Sequence, residues 1–334
     1  MLSLEEKTLG QVTGHRMARI ITITLNPAVD KTVRVQELHI GGLNRVREAR
    51  EDAGGKGINV SRAVCALGGE TLAMGFLGGR QGAFIREALG KSGIESCFTS
   101  IGGETRTNVK VVGDDGSVTE INEAGPTVTE AEIAALYKGM EAVIRKDDLV
   151  VLSGSAPRGV PKTIYADLIG LVHRHGARAL LDADGALFRE GLSAKPDIIK
   201  PNLDELSAYC KEQHMEMAGE NEKERSLSAA RVLAERGIAE ILVSMGSQGA
   251  VLLTEKEAWY APAVPVTVCS TVGAGDTMAA AYALSSMRGC MPGERLLFAT
   301  AAAAGAVTTQ GTRPPSLELV TQLRDRVCVV PVTV

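Results

Sequence analysis

Short apolar runs alternate with segments of helical periodicity along most of the chain. The runs are rich in Ile, Leu and Val, and they span residues 20–25, 149–153, 179–182, 198–200 and 241–244. Continuous apolar runs of this kind are typical of parallel strands that are covered on both faces. We therefore predict buried parallel strands at these five positions.

The clearest helix is predicted over 129–145. Thr129 and Glu132 have the spacing of a capping box, and apolar residues then recur at three- and four-residue steps. Similar patterns predict helices over 160–175 and 227–236. Because strands and helices alternate, we predict an α/β fold with a mostly parallel, doubly wound sheet.

Two other segments, 32–49 and 105–122, alternate apolar and polar residues as half-buried strands do. The Gly-Asp-Asp-Gly sequence at 113–116 is a strong turn signal within the second segment. Such strands do not fit inside a parallel core, so we expect a small sheet at its edge that could act as a lid. An exposed face on that sheet would favour pairing with a second copy of the chain, and we expect a homodimer.

The composition limits the class of partner. Apolar residues make up 45% of the 334-residue chain, which is enough for a full core, and the net charge is −4. An acidic balance argues against a general nucleic-acid-binding protein. The sequence has no window of about 18 apolar residues, so no membrane span is predicted. The expected partner is therefore a small molecule rather than a nucleic acid or a membrane.

The N-terminal segment indicates how the chain is divided, and the cysteines indicate where in the cell the protein is located. Residues 1–18 are polar and lack the apolar stretch of a signal peptide. We expect them to form a disordered extension before one domain at 19–334, and Met17 is a second candidate for the first residue. The six cysteines form no C-x-x-C pair, which favours reduced thiols and a cytoplasmic location.

The segment 272–277 is the most informative motif of the chain. Gly273, Ala274 and Gly275 form a turn without large side chains, which opens an Ala-rich helix. The first N–H groups of a helix lack internal partners and attract anions together with the helix dipole. Asp276 places a carboxylate in this turn, where it could take a proton from an attacking hydroxyl. The motif thus predicts phosphoryl transfer from a nucleotide to an alcohol, with ordinary helix capping by the Asp as the alternative.

A second glycine-rich segment precedes a predicted helix. Gly54 and Gly55 expose backbone N–H groups beside Lys56, and Asn59 lies three residues further on. The segment is not a Walker A loop, because Gly57 follows the lysine, and it lacks the last glycine of a dinucleotide-binding fingerprint. It could hold a polyol through backbone contacts, with a plain glycine-rich turn as the alternative.

Other polar residues follow predicted strands, at the edge where open α/β sheets bind ligands. Asp30 could accept hydrogen bonds from sugar hydroxyls, or could be a turn residue after a proline. Arg106 could bind a phosphate, or could be a solvated surface residue. Asn202 and Glu205 have capping-box spacing and could also organise Mg²⁺ through water. The glycine turn at 244–250 could lie under a nucleotide.

In this order, the motifs resemble those of the ribokinase-like carbohydrate kinases, the phosphofructokinase B family. The resemblance runs from about Arg19 to the C terminus, and it is carried by the segments 54–59, 200–205 and 273–276. Segments 24–27, 44–46 and 104–106 are similar to the branch that contains 1-phosphofructokinase and tagatose-6-phosphate kinase, and segments 106–110 and 270–278 are more similar to the 1-phosphofructokinases. The resemblance implies a three-layer α/β/α sandwich with a small β-sheet lid.

The resemblance also implies a role for each motif residue. Asp276 would be the general base, and Gly273, Ala274 and Gly275 would form an anion hole for the transferring phosphoryl group. The sugar phosphate would be bound by Asp30, Gly54, Gly55, Lys56, Asn59, Arg106 and Asn108. ATP would be bordered by Lys200, Asn202, Glu205, Ser244, Gly246 and Gly249, with Mg²⁺ positioned through water by Asn202 and Glu205. No role is assigned to Asp182 or Arg158.

The acceptor remains open among ketose phosphates, which differ in hydroxyl stereochemistry and phosphate position. The expected reaction converts fructose 1-phosphate and ATP to fructose 1,6-bisphosphate and ADP, and tagatose 6-phosphate is the alternative acceptor. Arg106 argues against a kinase for a neutral sugar or nucleoside, and the intact Asp276 argues against a non-catalytic sugar-phosphate sensor. The missing dinucleotide fingerprint argues against a dehydrogenase.

Overall fold

In the computed structural model, which describes residues 18–332, the chain forms a large sheet between two helical layers and a second, smaller sheet. The predicted extension and the alternative start at Met17 lie outside the described residues, apart from residue 18. The predicted α/β class with a mostly parallel, doubly wound sheet is confirmed.

The large sheet has a parallel part and an antiparallel edge. In spatial order the parallel strands are β5 (Glu95–Ile101), β4 (Thr71–Gly78), β1 (Ile20–Thr24), β8 (Leu149–Ser153), β9 (Arg178–Asp182), β10 (Ile198–Ile199) and β11 (Glu240–Ser244). The antiparallel edge then continues with β12 (Ala250–Thr254), β13 (Ala258–Ala261) and β14 (Val330–Val332). Each of the five predicted apolar runs coincides with one of the parallel strands, although β9 and β11 begin one residue before their predicted runs.

Helices cover both faces of this sheet. One face packs against α3 (Glu130–Val143), α4 (Ile164–Arg174), α5 (Gly185–Leu192), α6 (Leu203–Glu212) and α7 (Glu222–Glu235). The other packs against α1 (Lys56–Ala66), α8 (Ala274–Met287), α9 (Pro292–Ala306) and α10 (Leu317–Arg324). A further helix, α2 (Gly79–Lys91), packs beside the small sheet.

Strand side chains alternate between these two layers. Ile21 and Ile23 of β1 pack with the first set of helices, whereas Ile20 packs with the second. Both faces of the inner parallel strands β1, β4 and β8 are therefore buried, which is why they are largely apolar, whereas the edge strand β5 is partly exposed and mixes polar and apolar residues. The predicted capping box is confirmed, since the Thr129 side chain accepts from the Glu132 N–H and the Glu132 carboxylate accepts from the Thr129 N–H.

The smaller sheet has the strand order β3 (Glu48–Gly54), β2 (Ala28–Arg34), β6 (Arg106–Val112) and β7 (Val118–Asn122). The turn at 113–116 joins β6 to β7 as predicted. The predicted bounds 32–49 are wrong at both ends, because β2 begins at Ala28 and β3 continues to Gly54. The end of β3 was not predicted because its residues are polar and show no strand pattern. The strand is stabilised instead by pairing with β2 along its whole length. Asp30 therefore lies within a strand and not in a turn.

Helix α8 is buried on every side over most of its length, from Asp276 to Ser286. Its alanines let α1 and α9 pack closely against it. In the described part of the chain, no helix combines the length and the apolar character that crossing a membrane requires.

We expect Gly75→Ala to destabilise the fold by about 2–4 kcal/mol. Gly75 lies in β4 with φ +139°, and a Cβ atom there would collide with the carbonyl of Thr24 in the neighbouring strand. Chemical denaturation measures the loss. Gly139→Ala is a matched control within α3, where the new methyl would only touch Met74 at 3.8 Å, so a gain of about 0.5–1 kcal/mol is expected. A Gly75→Ala protein as stable as the wild type would contradict this account.

Candidate active site

A cleft of about 1310 Å³ lies at the carboxyl ends of the parallel strands, with the small sheet as one wall. Open α/β sheets bind their ligands at this edge. Every residue predicted to bind sugar, nucleotide or phosphoryl group lines this cleft, except Gly54. Gly54 lies behind Asp30, and a Cβ atom there would collide with the Asp30 carboxylate. The absence of a side chain at Gly54 thus makes room for that carboxylate.

The start of α8 projects into the cleft. Gly273 is its N-cap residue and has φ +82°, a left-handed conformation that favours glycine. A Cβ atom at Gly275 would lie 3.4 Å from the Lys200 Nζ, so the backbone of this turn and the lysine ammonium are close neighbours. A helix N-terminus beside a buried ammonium can stabilise an anion, as the motif predicts.

Asp276 is buried in the first turn of α8 and accepts a hydrogen bond of 2.8 Å from the Asn59 Nδ2. Burial raises the pKa of Asp276 to about 6, and the charge of Asp182 acts in the same direction. The hydrogen bond from Asn59 and the charges of Lys56 and Lys200 lower this pKa. A carboxylate with a pKa near 6 is well matched to general-base chemistry close to neutral pH.

Asp182 is a site residue that the sequence reasoning missed. It ends β9 almost fully buried, and its Oδ1 lies 3.4 Å from the Nζ atoms of both Lys56 and Lys200. This carboxylate holds the pKa of Lys56 above its usual value. Its other oxygen, Oδ2, has no hydrogen-bond partner among residues 18–332. Asp182 could have been identified from its position at the carboxyl end of a predicted parallel strand. Ser244 was predicted from the same kind of position.

Asn202 and Glu205 form the predicted capping box at the start of α6, with two hydrogen bonds of 2.8 Å. Asn202 Oδ1 and Glu205 Oε2 are used in those bonds, whereas Glu205 Oε1 lies 3.7 Å from the Lys56 Nζ. The described residues contain no group of three or more His, Cys, Asp or Glu that could hold a metal ion. Mg²⁺ would therefore need water and phosphate oxygens for most of its ligands, which is its usual mode of binding.

The opposite wall carries polar residues of the small sheet. Asn108 donates from Nδ2 to Asp30 Oδ1 at 3.1 Å, and burial raises the pKa of Asp30 above its usual value. The Oδ1 atoms of Asn59 and Asn108 are both buried and have no partner within the described chain. Unpaired buried acceptors are costly, so these two oxygens are well suited to accept hydrogen bonds from the hydroxyls of a ligand.

Arg106 is not a solvated surface residue. Its Nε and Nη2 donate to the Asn26 carbonyl at 3.3 and 3.1 Å, and its Nη1 donates to the Glu123 carbonyl at 2.8 Å. These contacts hold the guanidinium at the wall of the cleft, where its charge also acts on Asp30.

The far end of the cleft forms a slot with apolar walls. Gly246 and Gly249 border it in the hairpin between β11 and β12, where a Cβ atom at Gly249 would collide with the Ala261 carbonyl. Its apolar lining includes Val264, Val266, Met278, Ala303 and Val307. Such a slot suits a flat heterocycle. The sequence reasoning missed these residues because isolated apolar side chains are indistinguishable from core residues.

The sequence and the fold both match known proteins. The model of the pfkB family carbohydrate kinase matches residues 21–319. The chain is 34% identical to the 1-phosphofructokinase of Vibrio cholerae, over 93% of this chain and 96% of that protein. It is 36% identical to the 1-phosphofructokinase of Rhodobacter capsulatus, over 93% of this chain and 97% of that protein.

Among solved structures, phosphofructokinase-2 from Escherichia coli in complex with potassium is similar at a TM-score of 0.86 and 28% identity, covering 92% of this chain and 99% of that one. The same enzyme has been solved in complex with fructose-6-phosphate and in a tetrameric inhibited form.

We expect Asp276→Asn to lower kcat by at least about 10²–10⁴-fold, because the amide cannot take a proton from the acceptor. The Kd for ATP should change little, since the side chain keeps its size. Coupled ADP release measures kcat, and calorimetry measures the Kd. Asp184→Asn is a matched control, because Asp184 is an exposed carboxylate two residues from Asp182 and outside the cleft. A folded Asp276→Asn enzyme with near-normal kcat would exclude Asp276 as the base.

The pH profile should report the ionisation of Asp276. The base acts when deprotonated, so kcat/KM should fall as pH drops through about 6, the pKa of Asp276, and level off above it. Asn59→Ala removes a hydrogen bond that lowers this pKa, so the acidic limb should move to higher pH. Phosphate groups of the substrates also titrate near this pH, but their pKa cannot respond to a change at Asn59. An acidic limb at the same pH in both proteins would assign it to the substrates.

Proposed function

Because the chain belongs to the pfkB family of carbohydrate kinases, we propose that it is a 1-phosphofructokinase, which converts fructose 1-phosphate and ATP to fructose 1,6-bisphosphate and ADP. As a member of that family it is a phosphotransferase that acts on a sugar hydroxyl. The observation that carries the proposed chemistry is the buried Asp276 in the anion-attracting first turn of α8.

In this mechanism, Asp276 takes the proton from the attacking hydroxyl of the sugar. The backbone N–H groups of Gly273, Ala274 and Gly275 face the transferring phosphoryl group, whose charge spreads over its oxygens in a loose transition state. Lys56 and Lys200 turn from Asp182 toward the phosphate oxygens. The Asp182 carboxylate then serves to hold both ammonium groups in place when no phosphate is bound.

The acceptor lies between the α8 turn and the small sheet. Asp30 and the unpaired oxygens of Asn59 and Asn108 accept hydrogen bonds from its hydroxyls. Arg106 keeps a positive charge at this wall, which supports an acceptor that carries a phosphate. A neutral acceptor would not need this charge.

ATP lies along the opposite half of the cleft. Its base fits the apolar slot beside Gly246 and Gly249, and its phosphates extend past Ser244 toward Lys200. A hydrated Mg²⁺ would be positioned through water by Asn202 and Glu205, because hard oxygen donors suit this ion. When bound, the ion would neutralise charge on the phosphates.

We also propose that the small sheet closes over the cleft and pairs with a second copy of the chain. Apolar side chains of this part are exposed, including Ile40 at 96% and Leu43 at 75% in the connection after β2, and Ile121 on β7. Burial in a homodimer would remove them from water. Sedimentation velocity measures this assembly state directly.

The free cysteines favour a cytoplasmic location.

Coupled ADP release with Mg-ATP, measured separately on three ketose phosphates, tests the acceptor. We expect kcat/KM for fructose 1-phosphate to exceed the values for tagatose 6-phosphate and fructose 6-phosphate. An Asp276→Asn protein prepared in the same way controls for contaminating kinases. A preference for tagatose 6-phosphate would keep the mechanism and change the substrate, and a preference for fructose 6-phosphate would place this chain with the phosphofructokinase-2 that was solved with that sugar.

A further inference from the structure

We propose that Lys110 binds the phosphate that the acceptor sugar already carries, and that it makes the enzyme prefer phosphorylated acceptors. This inference rests on the proposed function as a sugar-phosphate kinase. Neither the sequence motifs nor the roles given above assign a function to Lys110.

The position of Lys110 follows from the alternation of β6. Arg106, Asn108 and Lys110 are two residues apart, so their side chains leave the same face of the sheet, and all three line the cleft. Asn108 lies opposite Asp30 in β2, and Lys110 lies one step further along the same face, opposite Glu120 in β7. The row thus runs from the residues that hold sugar hydroxyls to Lys110.

Two carboxylates of the protein act on the charge of Lys110, Asp30 through space and Glu120 as a loose ion pair. The Lys110 side chain is only 13% exposed, and its Nζ lies 3.7 Å from Glu120 Oε1, which is too long for a hydrogen bond. An ammonium that is largely removed from water and has no carboxylate of the described residues within hydrogen-bond distance is less well stabilised than one that has. An anionic ligand with oxygens within hydrogen-bond distance would improve that state, and a phosphate has this chemistry.

Other cations near this wall are held more firmly. Arg106 is fixed by the carbonyl groups of Asn26 and Glu123, and Arg50 is paired with Asp52 at 2.7 Å. Lys110 has a long, flexible side chain, so it can move toward a phosphate without breaking a hydrogen bond to its ion-pair partner.

There is also space for a phosphate beside Lys110. Lys110, Glu120 and Val272 line both the main cleft and an adjoining cavity of about 320 Å³. A sugar whose reacting hydroxyl is at Asp276 and whose other hydroxyls lie near Asp30 and Asn108 would extend toward this junction. Its phosphate would then displace Glu120 from Lys110 as the nearest anion.

Lys110→Met tests the inference, because it keeps the length of the side chain and removes the charge. We expect the KM for fructose 1-phosphate to rise about 10- to 100-fold, since one charge-assisted hydrogen-bonding group is lost. The kcat and the KM for ATP should stay within about threefold of the wild-type values, because Lys110 would contact the phosphate already on the sugar and not the phosphoryl group that is transferred. Lys110→Arg should restore most of the affinity, and Glu120→Gln should lower the KM by removing the competing anion.

Lys31→Met is the matched control. Lys31 lies in β2 of the same sheet and pairs with Glu51 at 3.2 Å, but its side chain is 41% exposed and does not line the cleft. We expect its kinetic constants to equal those of the wild type. The preference for fructose 1-phosphate over unphosphorylated fructose, measured as a ratio of kcat/KM values, should collapse in Lys110→Met and persist in Lys31→Met.

The outcomes separate this inference from the proposed function. A wild-type enzyme that phosphorylates fructose 1-phosphate, together with a Lys110→Met variant of unchanged KM, would overturn the role of Lys110 and leave the function in place. A wild-type enzyme that turns over only unphosphorylated sugars would overturn both. A rise in KM for the sugar phosphate that is reversed in Lys110→Arg supports the inference, because a merely structural role would not depend on the charge.

Discussion

The burial of one carboxylate at the start of a packed helix is the constraint on which the site depends. Asp276 is held in the first turn of α8, a helix so closely surrounded by α1 and α9 that most of its residues are buried. Removal from water raises the pKa of this carboxylate to about 6, and the Asn59 hydrogen bond and two lysines keep it from rising further. The same turn presents backbone N–H groups to an anion. The packing of the start of α8 therefore determines both the pKa of the base and the position of the phosphoryl-binding turn.

The rest of the cleft arranges charge around that turn. Asp182 keeps Lys56 and Lys200 close together in the absence of phosphate, so the buried Lys200 ammonium and the half-buried Lys56 ammonium share one counter-charge. On the opposite wall, the small sheet presents Asp30 and Asn108 and the cations Arg106 and Lys110. The chain passes from β1 into β2 over only three residues, so the acceptor wall is tied directly to the central sheet. Positioning and charge, rather than covalent chemistry, are what phosphoryl transfer requires.

The fold class and most of the site could be predicted because the signals are local. Apolar runs identified five of the seven parallel strands in the described chain, all except β4 and β5, and glycine spacing identified the turns at 54–57 and 273–276. The β3 strand was misplaced because its polar residues show no strand pattern, and its pairing with β2 supplies the missing stability. Asp182 was left without a role because its importance lies in distances to Lys56 and Lys200, which are far away in sequence. The apolar slot of the nucleotide half was missed because, in the sequence, isolated apolar side chains cannot be distinguished from core residues.

By itself, the sequence determined the order of strands and helices, the mostly parallel sheet and the two glycine turns, since hydrophobic periodicity and backbone freedom act over a few residues. It also placed a carboxylate at a helix start. Only the tertiary structure decided that Asp276 is buried and bonded to Asn59, that Asp182 joins two lysines, and that Lys110 faces the cleft while Lys31 does not. The physical reason is that desolvation and Coulomb interactions depend on distances through space, and residues far apart in the chain set those distances only when both sheets and both helical layers have packed.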